Sequence, residues 1–187
     1  MIRLFYNYYR DSNLERRKEI DLCFYKNLTN HHINIIVIES QEKLTYNNYI
    51  ERINQLADDN DISVFCNSDI YLDETILKTQ YMKPRDVYAL SRWNIDKKGE
   101  YSFWNRPDSQ DTWIIKGKVG ALEGDFALGT PGCDNRIAYE FRKAGHTVSN
   151  PGLSIKTYHV HASNVRTYNK STPSVPPPYL TVDPISL

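Results

Sequence analysis

The sequence predicts an α/β fold with an open, mostly parallel central sheet flanked by helices, the architecture of many nucleotide-binding domains. Three observations predict it. Strand-like and helix-like periodicities alternate through the first half of the 187 residues. Two segments, 33–38 and 62–66, are continuously apolar and rich in β-branched residues, as strands covered on both faces are. Polar residues gather where such strands end, at Tyr8 to Arg10, Glu39, and Asn67 to Asp69, and open parallel sheets bind ligands at those carboxyl ends.

Taken in order, residues 2–9 alternate as a first strand, and Ser12, Asn13, Leu14 and Glu15 form a capping box. The helix it opens carries the stripe Ile20, Cys23, Phe24, Asn27, Leu28, with one polar lapse. The second strand is 33–38. Tyr46, Tyr49, Ile50, Ile53 and Leu56 repeat at helical spacing before the turn at 58–61, and 62–66 is the third strand. A helix over about 74–81, stopped by Pro84, leads to a fourth strand at 87–91. Residues 92–111 turn polar and aromatic, with Trp93, Tyr101, Phe103 and Trp104, and read as a long functional loop whose aromatic faces suit a sugar. A short strand at 112–116 follows. Gly129-Thr130-Pro131-Gly132 is a turn, after which Ile137, Ala138 and Phe141 mark a helix closed by Gly145 in the Schellman position. Residues 154–161 alternate as a last strand. Five prolines, at 173, 176, 177, 178 and 184, predict that the end of the chain is extended and largely coreless. The expected organisation is one domain over 1–169 and a proline-rich tail or linker over 170–187, leading toward further domains of a longer chain.

Lys plus Arg equals Asp plus Glu at 23 each, so no global field favours nucleic acid or an anionic membrane surface. Three cysteines, far apart, argue against a disulfide framework or a structural zinc site. The sequence lacks an apolar run of the roughly 20 residues that span a bilayer, and its beginning has no apolar leader. The expected location is therefore the cytoplasm.

The sharpest chemical feature is Asn67 and Asp69 at the end of the third strand, since side chains two apart on an extended segment point the same way. Such an oxygen pair holds a ribose hydroxyl with one member and, with the other, a divalent cation that bridges a diphosphate. The plain alternative is a turn after a strand. Asp73 falls where a helix N-cap is wanted, or assists the cation through water. Asp134 opens the last helix, either as its cap or as a carboxylate that accepts a proton, and Asp111 is the reserve for that task. His159 and His161 share a strand face, as two metal ligands, or one ligand and its orienter, would. Arg92 and Arg166 carry guanidinium forks that suit a diphosphate.

In its order of motifs the chain resembles the family-2-like GT-A glycosyltransferases over about residues 2–168. Asn67-Ser68-Asp69 is similar to the Asn-x-Asp variant of their Asp-x-Asp motif. Residues 129–136 through 145–148 resemble the acidic motif that opens a helix before a glycine and a strand. Residues 156–161 resemble the late histidine segment that completes the metal site, and within the family the likeness extends to domains that glycosylate chlorovirus capsid protein. The resemblance implies a GT-A (nucleotide-diphospho-sugar transferase) fold, Mn2+ or Mg2+, and a nucleotide-sugar donor, UDP-linked. The sugar it implies is glucose or a 6-deoxyhexose such as rhamnose, and the acceptor a glycan or glycoprotein, viral capsid glycans in an infected host cell included. It carries the base of an inverting transfer onto Asp134, the metal onto Asp69 with His161 or His159, and base and ribose contacts onto Tyr8, Arg10 and Glu39. Asn67 stands where the commoner motif has an acid, which leaves Asp69 as the charged ligand. A nucleotide-sugar hydrolase and a noncatalytic carbohydrate-binding domain are the alternatives.

Overall fold

A computed structural model describes residues 1–40, 42–163, 165 and 171–187. Its elements run β1 (Ile2–Tyr8), α1 (Leu14–Leu28), β2 (Asn34–Glu39), α2 (Tyr46–Leu56), β3 (Ile62–Cys66) and β4 (Ile70–Leu72), then a 3-10 helix (Glu74–Tyr81). They continue with β5 (Asp86–Leu90), β6 (Trp93–Ile95), β7 (Tyr101–Phe103), β8 (Thr112–Lys116), α3 (Cys133–Lys143), β9 (Thr147–Ser149) and β10 (Thr157–Val160). Six strands form a mixed sheet ordered β2-β1-β3-β8-β5-β9, in which β8 runs antiparallel to both neighbours and the other pairings are parallel. A smaller sheet, β4-β10-β6-β7, stands beside it. The chain is α/β, as the alternating pattern requires.

Alternation along the central strands supplies two cores. Phe5, Phe65 and Trp113 point to one face and meet Tyr46, Tyr49, Ile53, Ile137 and Phe141 from α2 and α3. Leu4, Tyr6, Val64 and Ile114 point to the other and meet Ile70, Leu72, Ile76 and Ile155. The polar lapse in the α1 stripe has a structural task. Asn27 donates from Nδ2 to the Ile70 carbonyl at 2.9 Å and accepts from the Leu72 amide at 3.0 Å, pinning α1 across β4.

Several expectations change in three dimensions. The apolar run at 33–38 predicts a strand covered on both faces, yet β2 is the outer strand and Val37 is 39 % exposed, because hydrophobicity does not report a strand's place in a sheet. The cap of α1 is Asn13, which accepts from the Arg16 amide at 3.1 Å, rather than a Ser12 capping box. The capping box instead opens α2, with Thr45 and Asn48 in reciprocal contact. The segment at 74–81 is a 3-10 helix capped by Asp73, which settles that aspartate as a cap. The expected loop at 92–111 contains the hairpin of β6 and β7. The last strand begins at Thr157, since Ser154 and Ile155 turn back to the Pro151 carbonyl.

The largest correction concerns the tail. Residues 171–187 hold no helix or strand, as the prolines dictate, but they are not coreless. Val175 and Val182 are each 7 % exposed and join the core of α2 and α3. Backbone amides of Val175, Leu180, Val182 and Ile185 donate to the carbonyls of Pro131, Asn135, Pro107 and Asn150 at 2.8 to 2.9 Å. Proline-rich backbone cannot satisfy its polar groups internally, so it takes partners from the body it crosses.

Candidate functional site

A cleft of about 850 Å3 opens where β1 and β3 end, walled by the loops after β2 and β8, the start of α3 and the end of β10. The parallel trio β2, β1, β3 places the cleft at its carboxyl ends. Asn7, Tyr9, Asn67, Asp69, Asp111, Asp134, His159 and His161 all face it.

Asp69 lies at the bottom, 4 % exposed, between β3 and β4. Its Oδ2 accepts from Arg16 Nη2 at 2.7 Å and lies 3.0 Å from His159 Nε2. Burial pushes this carboxyl up, but the His159 imidazole beside it and the Arg16 guanidinium outweigh burial and hold it well below the usual carboxylate range. The pairing of β10 with β4 brings His159 opposite Ile70, which sets the imidazoles of His159 and His161 beside Asp69, stacked 5.3 Å apart. One ligand atom from each of Asp69, His159 and His161 lies within 4.8 Å of the others, a grouping that could hold a metal ion. Asp69 Oδ1 fits that reading independently: it is buried and has no hydrogen-bond partner among the described residues. His159 Nδ1 lies 3.1 Å from Asn94 Oδ1, an outer contact that orients the ring. Two imidazoles and one carboxylate suit Mn2+ better than Mg2+, which prefers oxygen.

Asn67 and Asp111 form a second unit. The antiparallel register sets Cys66 opposite Thr112, so Asn67 Nδ2 reaches Asp111 Oδ1 at 2.7 Å. Arg92 Nη1 donates to the other carboxylate oxygen, Oδ2, at 2.6 Å, and its guanidinium stacks on Trp104, 5.1 Å from the ring centre. Both Asp111 oxygens are therefore engaged, which suits a residue that holds others in place better than one that accepts a proton.

Asp134 differs. The N-cap of α3 is Gly132, at φ +80° and without a side-chain cap bond, so Asp134 stands inside the first turn and is not consumed by capping. Its oxygens meet weaker donors, the Cys133 thiol at 3.1 Å, the Tyr46 hydroxyl at 3.4 Å and the Gln110 amide at 3.4 Å. Burial, and after it the Asp111 charge, push this carboxyl up to about 7. A carboxylate tuned near neutrality in a cleft is equipped to take a proton.

Three candidates do not line the cleft. Tyr8 points away from the cleft, where its hydroxyl donates to Asp21 at 2.8 Å and its ring packs on Phe24. Its neighbours Asn7 and Tyr9 line the cleft instead, since side chains alternate along β1. Arg10 and Glu39 are exposed and do not line it. Arg166 lies outside the described residues. Arg16 escapes the sequence reading although a signal exists: it stands four residues before Ile20 and seven before Cys23, on the buried stripe of α1.

A scan against protein-family models finds no match to this chain, and a search of curated proteins finds none either. Among the described residues no helix is long and apolar enough to cross a membrane.

Proposed function

We propose that the chain is a metal-dependent, inverting glycosyltransferase of the GT-A type, moving a sugar from a nucleoside diphosphate donor to a hydroxyl of a glycan or glycoprotein. One observation carries the reading. One carboxylate and two imidazoles, close enough together to share a cation, line the same cleft as a separate carboxyl pushed up to about 7, at the carboxyl ends of parallel strands.

In this reading Asp69, His159 and His161 hold Mn2+, which when bound neutralises the donor diphosphate as the leaving group. Asn67, Asp111 and Arg92 act as one braced unit, in which Asp111 fixes the Asn67 amide toward the ribose and the Arg92 guanidinium toward phosphate. Asp134 accepts the proton of the acceptor hydroxyl while that oxygen bonds to the anomeric carbon and the nucleoside diphosphate departs from the opposite face. The anomeric configuration inverts. Trp104, stacked by Arg92 and, at 5.8 Å, by Arg106, gives the cleft an aromatic wall for a pyranose ring.

The test is a donor-hydrolysis screen across UDP-, GDP- and dTDP-sugars, with and without Mn2+, followed by NMR of the transfer product. Slow Mn2+-dependent hydrolysis of one donor class and an inverted product are expected. A chain with no metal-dependent nucleotide affinity is a binding module, and retention of configuration rules out the single displacement.

A further inference from the structure

The cation site already contains a cation. Arg16, 7 % exposed on α1, donates from Nη2 to Asp69 Oδ2 at 2.7 Å and from Nη1 to His161 Nδ1 at 2.8 Å. Arginine has no acceptor capacity, so toward Arg16 His161 Nδ1 accepts and its lone pair is engaged, while the same nitrogen lies a longer 3.4 Å from Asp69 Oδ2. One guanidinium thus covers both a carboxylate oxygen and an imidazole nitrogen of the three-ligand set.

We propose that Arg16 is the resident counterion of the Asp69, His159 and His161 site, and that a divalent ion binds by displacing its guanidinium. The inference rests on the metal site of the proposed function and adds a residue that sets its affinity. Arg16 has somewhere to go. Its Nη1 also reaches Glu19 Oε2 at 3.2 Å, and its Nε has no partner among the described residues, so the side chain can leave Asp69 and remain paired. Glu19 is itself buried and anchored by the Ser163 amide at 2.6 Å and the Ser163 hydroxyl at 2.8 Å, so it stays in place to receive the guanidinium. Charge decides when the exchange occurs. With Arg16, Glu19 and Asp69 together the site carries one net negative charge, and a divalent ion beside the retained guanidinium makes it positive. A diphosphate reverses that sign. Metal alone therefore binds weakly, metal and nucleoside diphosphate bind cooperatively, and by linkage each tightens the other equally.

The experiment measures Mn2+ binding by electron paramagnetic resonance and calorimetry, with and without uridine diphosphate, in three full-length proteins. They are the wild type, Arg16→Gln, and Arg16→Gln with Glu19→Gln, whose second change restores the net charge. Circular dichroism establishes that each is folded, and a variant that fails to fold at 25 °C is measured at a lower temperature with the remaining one carrying the comparison. Both variants should bind Mn2+ alone about tenfold or more tightly than the wild type, and the tightening by uridine diphosphate should shrink. Unchanged or weaker Mn2+ affinity in the folded variants overturns the proposal. A gain in the single variant alone also overturns it, since that result reports a changed field rather than vacated ligands. If no protein binds Mn2+ under any condition, the metal site itself is wrong and the proposed function fails with it, whereas equal binding in all three removes only the role of Arg16.

Discussion

Asp134 gives the residue scale its clearest chemistry. Its carboxyl, raised to about 7 from an ordinary value of 3.8, holds its proton in the folded state through a window where the unfolded chain has lost it. Stability contributed by that proton is therefore lost as pH rises from about 4 to about 7, and ionised Asp134 is a standing cost above it, of at most about 4 kcal/mol. Asp134→Asn removes the cost. The variant should gain melting temperature relative to wild type at pH 8 and not at pH 4, and an equal difference at both would show an ordinary carboxyl. Turnover should fall about 10² to 10⁴-fold with donor affinity kept, and wild-type kcat/KM should rise with pH to a plateau above about 7. Asp69 answers to different physics. It is buried against Arg16, so Asp69→Ala should abolish Mn2+-dependent donor binding while shifting the guanidinium wholly onto Glu19, at a cost in a urea melt below the roughly 3 kcal/mol of an unpaired buried charge. A variant with full stability would mean that Glu19 alone balances Arg16. The cleft residues legible in the sequence are the pairs with a fixed spacing, Asn67 with Asp69 and His159 with His161, and Arg92, Asp111 and Asp134, which stand at the ends of strands and a helix. Arg16 is not, because its role depends on α1 crossing β4, a contact between segments about fifty residues apart.

At the scale of elements, strand and helix types follow from periodicity, whereas their surroundings do not. β2 and β3 are both apolar runs, but β3 is buried throughout and β2 lies at the edge. β4 is three residues long, too short for any periodicity, and it exists because β10 pairs with it. The start of α3 couples this scale to the chemistry. Gly132 caps the helix at φ +80°, and a Cβ there would lie 2.9 Å from the Tyr179 hydroxyl and 3.1 Å from the Val175 carbonyl. Gly132→Ala meets both the left-handed conformation, which costs an L-residue about 1 kcal/mol or more, and contact with the tail. It should lower stability by about 2 kcal/mol in chemical denaturation and reduce turnover more than donor binding, since it tilts the turn that carries Asp134. A fully active variant of unchanged stability would show that this turn has room to shift.

For the whole molecule the tail decides what counts as the domain. Its prolines announce an extended chain, and from composition alone an extended chain reads as a linker, because nothing in five prolines reports whether the carbonyls they pass are free to accept. Here they are. Val175 lies beside the α3 cap, Val182 accepts from the buried Asn150 side chain at 3.1 Å, and the same Asn150 accepts from the Ser91 amide at 3.0 Å. Ser91 in turn donates to the Arg106 carbonyl at 2.9 Å, so the tail, the end of β5 and the loop bearing Trp104 are joined in one hydrogen-bonded network. Removing residues 172–187 uncovers two valine sites in the core, each worth roughly 1.5 kcal/mol or more, and deletes five backbone hydrogen bonds among the described residues, of about 1 kcal/mol each. A chain of this size loses about 2 to 4 °C per kcal/mol, so the melting temperature should fall by about 10 °C or more even after the freed entropy of the tail is returned. Differential scanning calorimetry of the truncated and full chains measures it directly. A fall of only 2 or 3 °C would restore the tail to the status of a linker, and would leave the Asn150 network as a brace between β5 and β9 alone.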